Sequence, residues 1–259
     1  MPSLTAVIPV ATSIGDLSNL TLNISDALQS GFHVVVVFDQ VSTEVNPALE
    51  ALGIHFSSYG DKFQIVRGKY GSPGMARNAG KENVDTELIA FWDADDRVEI
   101  QSIIKIVNLY GNMYDYIIGS YQVVELDSGS IRSAAARKTF GKLRVIKEPG
   151  VWRIIFRNSK VSNSQFGNSY MGEDQVYLVN SGLLGSARVL FTNDVFYTYF
   201  KGVDGQLTSV RRLNQALVQS IVEIISTSSI GGLKEIVYRL LVVCRIGLTL
   251  IKRIVTGKK

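Results

Sequence analysis

His33-Val34-Val35-Val36-Val37-Phe38-Asp39 is the stretch that decides the fold of this chain. It is apolar from Val34 to Phe38 and mostly β-branched, which predicts a strand buried on both faces. Such a strand belongs inside a parallel sheet covered by helices. It ends on a carboxylate, Asp39. Upstream, Leu4-Thr5-Ala6-Val7-Ile8-Pro9 reads as another strand. Helical spacing follows from Leu17 to Leu28, with Gly31 as its stop. Downstream, residues 43–53 read as a short helix and Phe63 to Arg67 as a third strand. A helix opening at Gly74 or Met75 covers Ala76 to Asn83, and Glu87 to Trp92 is a fourth strand. This alternation predicts an α/β fold with a mainly parallel sheet flanked by helices. Ligands bind beyond the carboxyl ends of such strands. Asp39, Asp93 and the pair Asp95-Asp96 all stand at those positions.

The second half follows a different pattern. Ile103 to Tyr110 is helical, and Tyr116 to Asp127 reads as strand. Residues 130–150 are basic and irregular. Gly172 to Leu184 reads as a helix, followed by two strands, Arg188 to Phe191 and Val195 to Phe200. The expectation is a mixed α+β half attached to the α/β half.

Composition excludes several classes. With 46% apolar and 19% charged residues over 259 positions, the chain is neither disordered nor fibrous. One cysteine, Cys244, excludes an intramolecular disulfide framework and a cysteine-cluster zinc site. The net charge of +4 is unevenly placed: residues 231–259 hold seven bases and one acid, leaving residues 1–230 at −2. That distribution speaks against a nucleic-acid-binding body. Neither a signal-peptide pattern nor a membrane-spanning run is visible, so the sequence predicts a cytoplasmic body.

Three motifs carry candidate chemistry. Phe91-Trp92-Asp93-Ala94-Asp95-Asp96 delivers three carboxylates into one turn. It reads either as a cation site for Mg²⁺ or Mn²⁺, completed by a substrate diphosphate, or as a solvated turn that caps the next helix. Gly71-Ser72-Pro73-Gly74-Met75-Ala76-Arg77-Asn78-Ala79-Gly80 is a Gly/Pro loop feeding a helix, with Arg77 in the first turn. A helix start with an arginine suits a phosphate or nucleoside. Its glycine spacing matches neither a Walker loop nor a dinucleotide fingerprint. Gly172-Glu173-Asp174-Gln175 opens a helix with two carboxylates, which serve as favourable N-terminal charge or as a general base.

Taken in order, these features resemble the family 2 glycosyltransferases of the GT-A fold, over residues 4–210. The resemblance is carried by Val7-Ile8-Pro9-Val10, Val36-Val37-Phe38-Asp39, Ala76-Arg77-Asn78-Ala79-Gly80, Asp93-Ala94-Asp95-Asp96 and Gly172-Glu173-Asp174. Gly150-Val151-Trp152-Arg153-Ile154-Ile155-Phe156-Arg157 is similar to the segment that opens the family's acceptor half. It implies one catalytic domain over 1–210, with a nucleotide-sugar half (1–97) and an acceptor half (98–210). It also implies inverting transfer of a sugar from a nucleotide-diphosphate donor, a UDP-sugar by default, to a saccharide or lipid-linked acceptor in cell-surface polysaccharide synthesis. By resemblance, Pro9, Val10, Asp39 and Arg77 surround the base and ribose. Asp93 reaches the ribose or metal, and Asp95 binds the metal. Asp174 is the catalytic base with Glu173 beside it, and Arg157 lies in the acceptor segment. Trp152 is either a sugar platform or a core tryptophan.

There are departures. Ala11-Thr12 replaces Tyr-Asn, and Asp39-Gln40-Val41-Ser42 keeps one Asp where the family often has two. With His33 and His55 the only histidines, no second-half histidine is available to a metal. Lys201, Arg211 or Arg212 around a closing loop at 203–209 would hold the diphosphate, or form a solvated basic loop. A sugar-nucleotide pyrophosphorylase would need a Gly-rich basic signature that Ala11-Thr12-Ser13-Ile14-Gly15 lacks. A catalytically silent binding subunit is the remaining alternative.

Ser228 to Gly232 reads as a hinge before a helix from Leu233 to Val255. At helical spacing its basic residues gather opposite Ile236, Val237, Leu240, Val243, Cys244, Leu248, Ile251, Ile254 and Val255. Residues 211–226 are a second amphipathic candidate. Three destinations fit the helix of 231–259: the inner face of a membrane, the catalytic body, or a second copy of the chain.

Overall fold

The computed structural model describes residues 2–11, 16–40, 47–134, 141–169, 171–202, 213–226 and 233–256. The expectations on residues 12–15, 41–46, the loop at 203–210, Arg211, Arg212 and the hinge at 228–232 lie outside the described residues.

The four sequence-predicted strands are β1 (Leu4–Ala11), β2 (His33–Asp39), β3 (Phe63–Gly68) and β4 (Leu88–Phe91). They lie parallel in the order β3-β2-β1-β4. The sheet continues through β8 (Ile154–Arg157), β6 (Tyr116–Glu125), β9 (Val189–Lys201) and β5 (Arg97–Val98), while β7 (Ser130–Ala134) pairs with β6. β8 runs antiparallel to β4 and β6, and β6 and β9 are parallel. The first half is therefore parallel and the second mixed.

The two-residue period of the strands builds two cores. Ala6, Ile8, Val34, Val36 and Phe38 face α1 (Ser18–Gln29), α2 (Pro47–Phe56) and α4 (Ile100–Tyr110). Val7, Val35 and Val37 face α3 (Pro73–Lys81) and α7 (Glu173–Asn180) on the other side. Close approach of α3 needs Gly80, where a Cβ would lie 2.4 Å from a Val7 methyl. Pro9 is tolerated for a related reason. Val7 accepts a hydrogen bond from Trp92 N–H, so alternation turns Pro9 toward the same side, past the last paired residue of β4.

Two expectations are corrected. The strands at 188–191 and 195–200 are one strand, β9. Its register against β6 slips between Ile118 and Tyr121, and that irregularity broke the sequence pattern. The stretch 130–150 is not irregular throughout: Gly129, at φ +65°, turns the chain into β7, and α5 (Gly141–Lys147) buries Val145 and Ile146.

α8 (Leu213–Ser226) packs on α7, and α9 (Leu233–Val255) packs on α8, α7 and α5. Val242 and Ile246 of α9 enter the core shared with α7. Arg239 and Arg253 reach α8, donating to the Ile224 carbonyl (3.5 Å) and Asn214 Oδ1 (2.8 Å). The opposite side stays apolar and exposed: Ile236, Val237, Leu240, Leu248, Ile251 and Val255, with Cys244 also exposed. Among the described residues, no helix is long and apolar enough to cross a membrane.

Candidate active site

The site gathers at the carboxyl ends of β1, β2 and β4, where the chain leaves the sheet. Its centre is Arg77, in the first half of α3. Ser72 caps that helix by accepting from Met75 N–H, and Pro73 opens it. The Arg77 guanidinium is 5% exposed and meets three carboxylates. Nη2 lies 2.5 Å from Asp93 Oδ1, and Nη1 lies 3.2 Å from Glu173 Oε1 and 3.5 Å from Asp174 Oδ1. Its other face covers the Phe166 ring at 5.4 Å. Burial alone would weaken its basicity, but Asp93, Asp174 and Glu173 together outweigh burial and hold it charged.

The carboxylates are also constrained. Glu173 and Asp174 open α7 behind Gly172, whose φ of +90° is left-handed and favours glycine. Asp174 Oδ2 accepts from Val151 N–H at 3.2 Å, whereas Oδ1 is buried and accepts no hydrogen bond. Burial, then the neighbouring Glu173, raises the Asp174 pKa above the ordinary carboxylate range. Burial raises Glu173 as well, against the pull of Arg77.

The acidic turn is fixed from below. Asn23 sits at 1% exposure on the inner stripe of α1. It donates to the Asp96 carbonyl (2.8 Å) and accepts from Val98 N–H (3.0 Å), while Asn19 donates to the Asp95 carbonyl (2.9 Å). Asp93 N–H donates to Tyr197 Oη (3.0 Å), and Phe200 N–H donates to Asp96 Oδ1 (2.8 Å). Burial, then Asp93 and Asp95, pushes the Asp96 pKa up to about 9.

A divalent ion fits this donor set. Asp93 and Asp95 supply hard oxygens, and Asp95 is only partly buried. Among the described residues, no three acidic, histidine or cysteine side chains are arranged to hold a metal by themselves. Mg²⁺ and Mn²⁺ tolerate one or two protein carboxylates when phosphate oxygens and water complete the shell.

The remaining sequence candidates lie as follows. Asp39 accepts from Tyr70 N–H (2.7 Å) and Gly71 N–H (3.0 Å), so it organises the loop leading into α3. Pro9 is partly exposed, while the Val10 side chain is buried in the core. Trp152 is partly buried among Tyr197 (stacked, 4.4 Å), Tyr199 (stacked, 6.2 Å) and Tyr121 (edge-on, 4.9 Å). Its position directly follows Val151, whose N–H holds Asp174. Arg157 is not brought to the cluster. It pairs with Leu88 at the amino end of β4 and donates to the Gly111 and Tyr114 carbonyls. Its register against β4 places it at the edge opposite Asp93.

Several supporting residues were not singled out in the sequence. Asn78 donates to the Phe166 carbonyl (3.1 Å) and accepts from Phe166 N–H (2.8 Å). Lys81 Nζ donates to the carbonyls of Val161 (2.8 Å), Ser162 (2.9 Å) and Ser164. These contacts tie α3 to the loop that enters α7. The signal for Asn23 was present: a polar residue on an otherwise apolar helical stripe.

This architecture, with an acidic turn after β4 and a carboxylate pair opening α7, is the GT-A fold of nucleotide-sugar transferases. The chain belongs to glycosyl transferase family 2, whose family model matches residues 5–168. Among curated proteins, the succinoglycan biosynthesis protein ExoW of Rhizobium meliloti (strain 1021) is 31% identical over 99 residues. That match covers 37% of this chain and 30% of ExoW, so the match spans under a third of that relative's length. Among solved structures, S. aureus TarS 1–349 in complex with UDP-GlcNAc is 16% identical at a TM-score of 0.66, covering 93% of this chain and 70% of that one. The mannosyltransferase PcManGT from Pyrobaculum calidifontis, in complex with GDP-Man and Mn²⁺, is 14% identical at a TM-score of 0.62. That alignment covers 100% of this chain and 76% of that one.

Proposed function

We propose that the chain transfers a sugar from a nucleotide-diphosphate donor to a hydroxyl of a saccharide acceptor, with inversion at the anomeric carbon. The observation that carries this reading is the Asp174 carboxylate. It is oriented through Oδ2 by Val151 N–H, has no hydrogen bond at Oδ1, and is joined through Arg77 to the acidic turn.

Asp174 Oδ1 takes the proton of the attacking acceptor hydroxyl. A base raised toward neutrality is matched to that task. Glu173, bonded to Arg77, fixes the guanidinium. Asp93 and Asp95 would hold Mn²⁺ or Mg²⁺, which would supply charge neutralisation for the diphosphate leaving group. Pro9, Val10 through its backbone, and the loop organised by Asp39 border the nucleoside, with a UDP-sugar as the default donor. Trp152 and its tyrosines offer a flat surface beside the base for an acceptor sugar.

The relative named for succinoglycan biosynthesis supports a role in cell-surface polysaccharide assembly. A lipid-linked acceptor and attachment to the inner membrane face fit the exposed apolar stripe of α9, flanked by exposed Lys252. Because Arg239 and Arg253 are engaged by α8, that attachment rests mainly on apolar contact. The test is a donor screen that detects released nucleoside diphosphate, with and without Mn²⁺ or Mg²⁺, on the intact chain and on Asp174→Asn.

A further inference from the structure

A second concentration of charge, of opposite sign, lies beside the carboxylate cluster. Arg153 is 2% exposed and has no carboxylate partner among the described residues. Its Nη2 donates to the Glu148 carbonyl (2.7 Å), its guanidinium covers the Tyr121 ring at 5.0 Å, and its buried Nε makes no hydrogen bond. Arg144 Nε donates to Glu148 Oε2 at 3.0 Å, and that oxygen also accepts from Tyr121 Oη at 3.1 Å. Arg245, half-buried on α9, feels the same Glu148 carboxylate, because α9 packs against α5. One carboxylate, Glu148, thus faces three guanidinium groups and pairs by contact with Arg144 alone. Burial lowers the basicity of both Arg153 and Arg245. The cluster is short of negative charge, and Arg153 keeps a donor unused.

We propose that Arg144 and Arg245, backed by the buried Arg153, form a subsite for an anionic group, phosphate or carboxylate, carried by the acceptor. Guanidinium groups bind such groups through paired N–H donors. The subsite adjoins the base by chain geometry. Glu148 is three residues from Val151, whose N–H holds Asp174, so their Cα atoms are at most roughly 10 Å apart. Trp152, next to Val151 in the chain, meets the Tyr121 ring edge-on and stacks on Tyr197 and Tyr199. An acceptor hydroxyl at Asp174 therefore places a neighbouring anion on the arginines. Arg245 gives α9 a part in acceptor recognition separate from its outward apolar stripe. This inference rests on the acceptor side proposed above.

The test is calorimetric titration of inorganic pyrophosphate into the intact chain without metal or donor. Binding is expected, weakened at least tenfold in Arg144→Gln and Arg245→Gln and unchanged in Arg188→Gln, an exposed arginine that donates to the Met113 carbonyl. Glu148→Gln removes the competing carboxylate and is expected to tighten binding, whereas a merely structural ion pair would give no gain. Two further arms separate the source of the anion. Arg245-dependent binding of glycerol 1-phosphate supports a soluble acceptor anion, and Arg245-dependent binding of phosphatidylglycerol vesicles supports a lipid headgroup. Absence of pyrophosphate binding, or binding kept in both arginine variants, overturns the subsite. UDP titration with Mn²⁺ is run alongside. Its failure would count against the donor reading alone, since the pyrophosphate arm needs neither nucleotide nor metal.

Discussion

Arg77 Nη1 lies 3.2 Å from Glu173 Oε1, a contact that closes 96 positions of chain. It joins the helix after β3 to the helix that opens with Glu173 and Asp174, and Nη2 of the same side chain holds Asp93. Removing Arg77 leaves three carboxylates near one another without the cation that joins them. A buried pair broken on one side costs about 3–5 kcal/mol. Arg77→Ala is therefore expected to lower the free energy of unfolding in urea by that measure, with a lower midpoint, and to abolish transfer. An unchanged midpoint would contradict the buried cluster.

The raised carboxylates set a pH dependence of stability. Asp96 in the folded chain titrates at about 9, against an ordinary value of 3.8, and burial raises Asp174 in the same direction. The folded state thus holds protons that the unfolded state has released. The stability they contribute is fully present below the ordinary carboxylate range and is lost as pH rises toward 9. Without metal, thermal unfolding is expected to move to lower temperature between pH 5 and pH 8.5. Asp96→Asn, which keeps an oxygen for Phe200 N–H, should flatten that slope. A steeper slope in the variant would refute the assignment.

Gly150 permits the placement of Trp152. A Cβ at Gly150 would lie 2.4 Å from the indole Cε2, so Gly150→Ala forces the ring to move. Acceptor KM is expected to rise several-fold, with nucleotide affinity unchanged. Loss of nucleotide affinity alone would place Trp152 on the donor side.

The exposed stripe of α9 predicts behaviour at a lipid surface. Leu240 is 60% and Leu248 68% exposed, so converting both to Asp leaves the core contacts of Val242 and Ile246 in place. Cosedimentation with anionic vesicles should fall at least tenfold, with thermal unfolding unchanged. Equal cosedimentation would remove the membrane reading.

Much of this was legible in the sequence where the physics is local. The runs at Val34–Phe38 and Leu88–Phe91 are apolar because both faces are buried, and they mark the strands directly. Ser72-Pro73 announces α3 because capping uses only neighbouring groups. The continuity of β9 was hidden because its register slip against β6 is a property of the pair. Arg157 has the composition of a site residue, yet the antiparallel direction of β8 carries it to the far edge, and direction is a topological fact. The bonds of Asn78 and Lys81 to the 161–166 loop depend on contacts about eighty positions away, beyond any local pattern. The helix of 233–255 was legible from its spacing alone. That Val242 and Ile246, lying between the arginines, dock it on the body depends on what it packs against.

The central claim is that Asp174 removes the acceptor proton at a site completed by the acidic turn. The most direct measurement is nucleoside diphosphate release by the intact chain and by Asp174→Asn, with matched Mn²⁺, donor and acceptor. The account predicts a loss of about 10²–10⁴ in turnover with donor affinity retained, the scale of a lost general base. Turnover by a folded Asp174→Asn chain equal to that of the unmodified protein would contradict it.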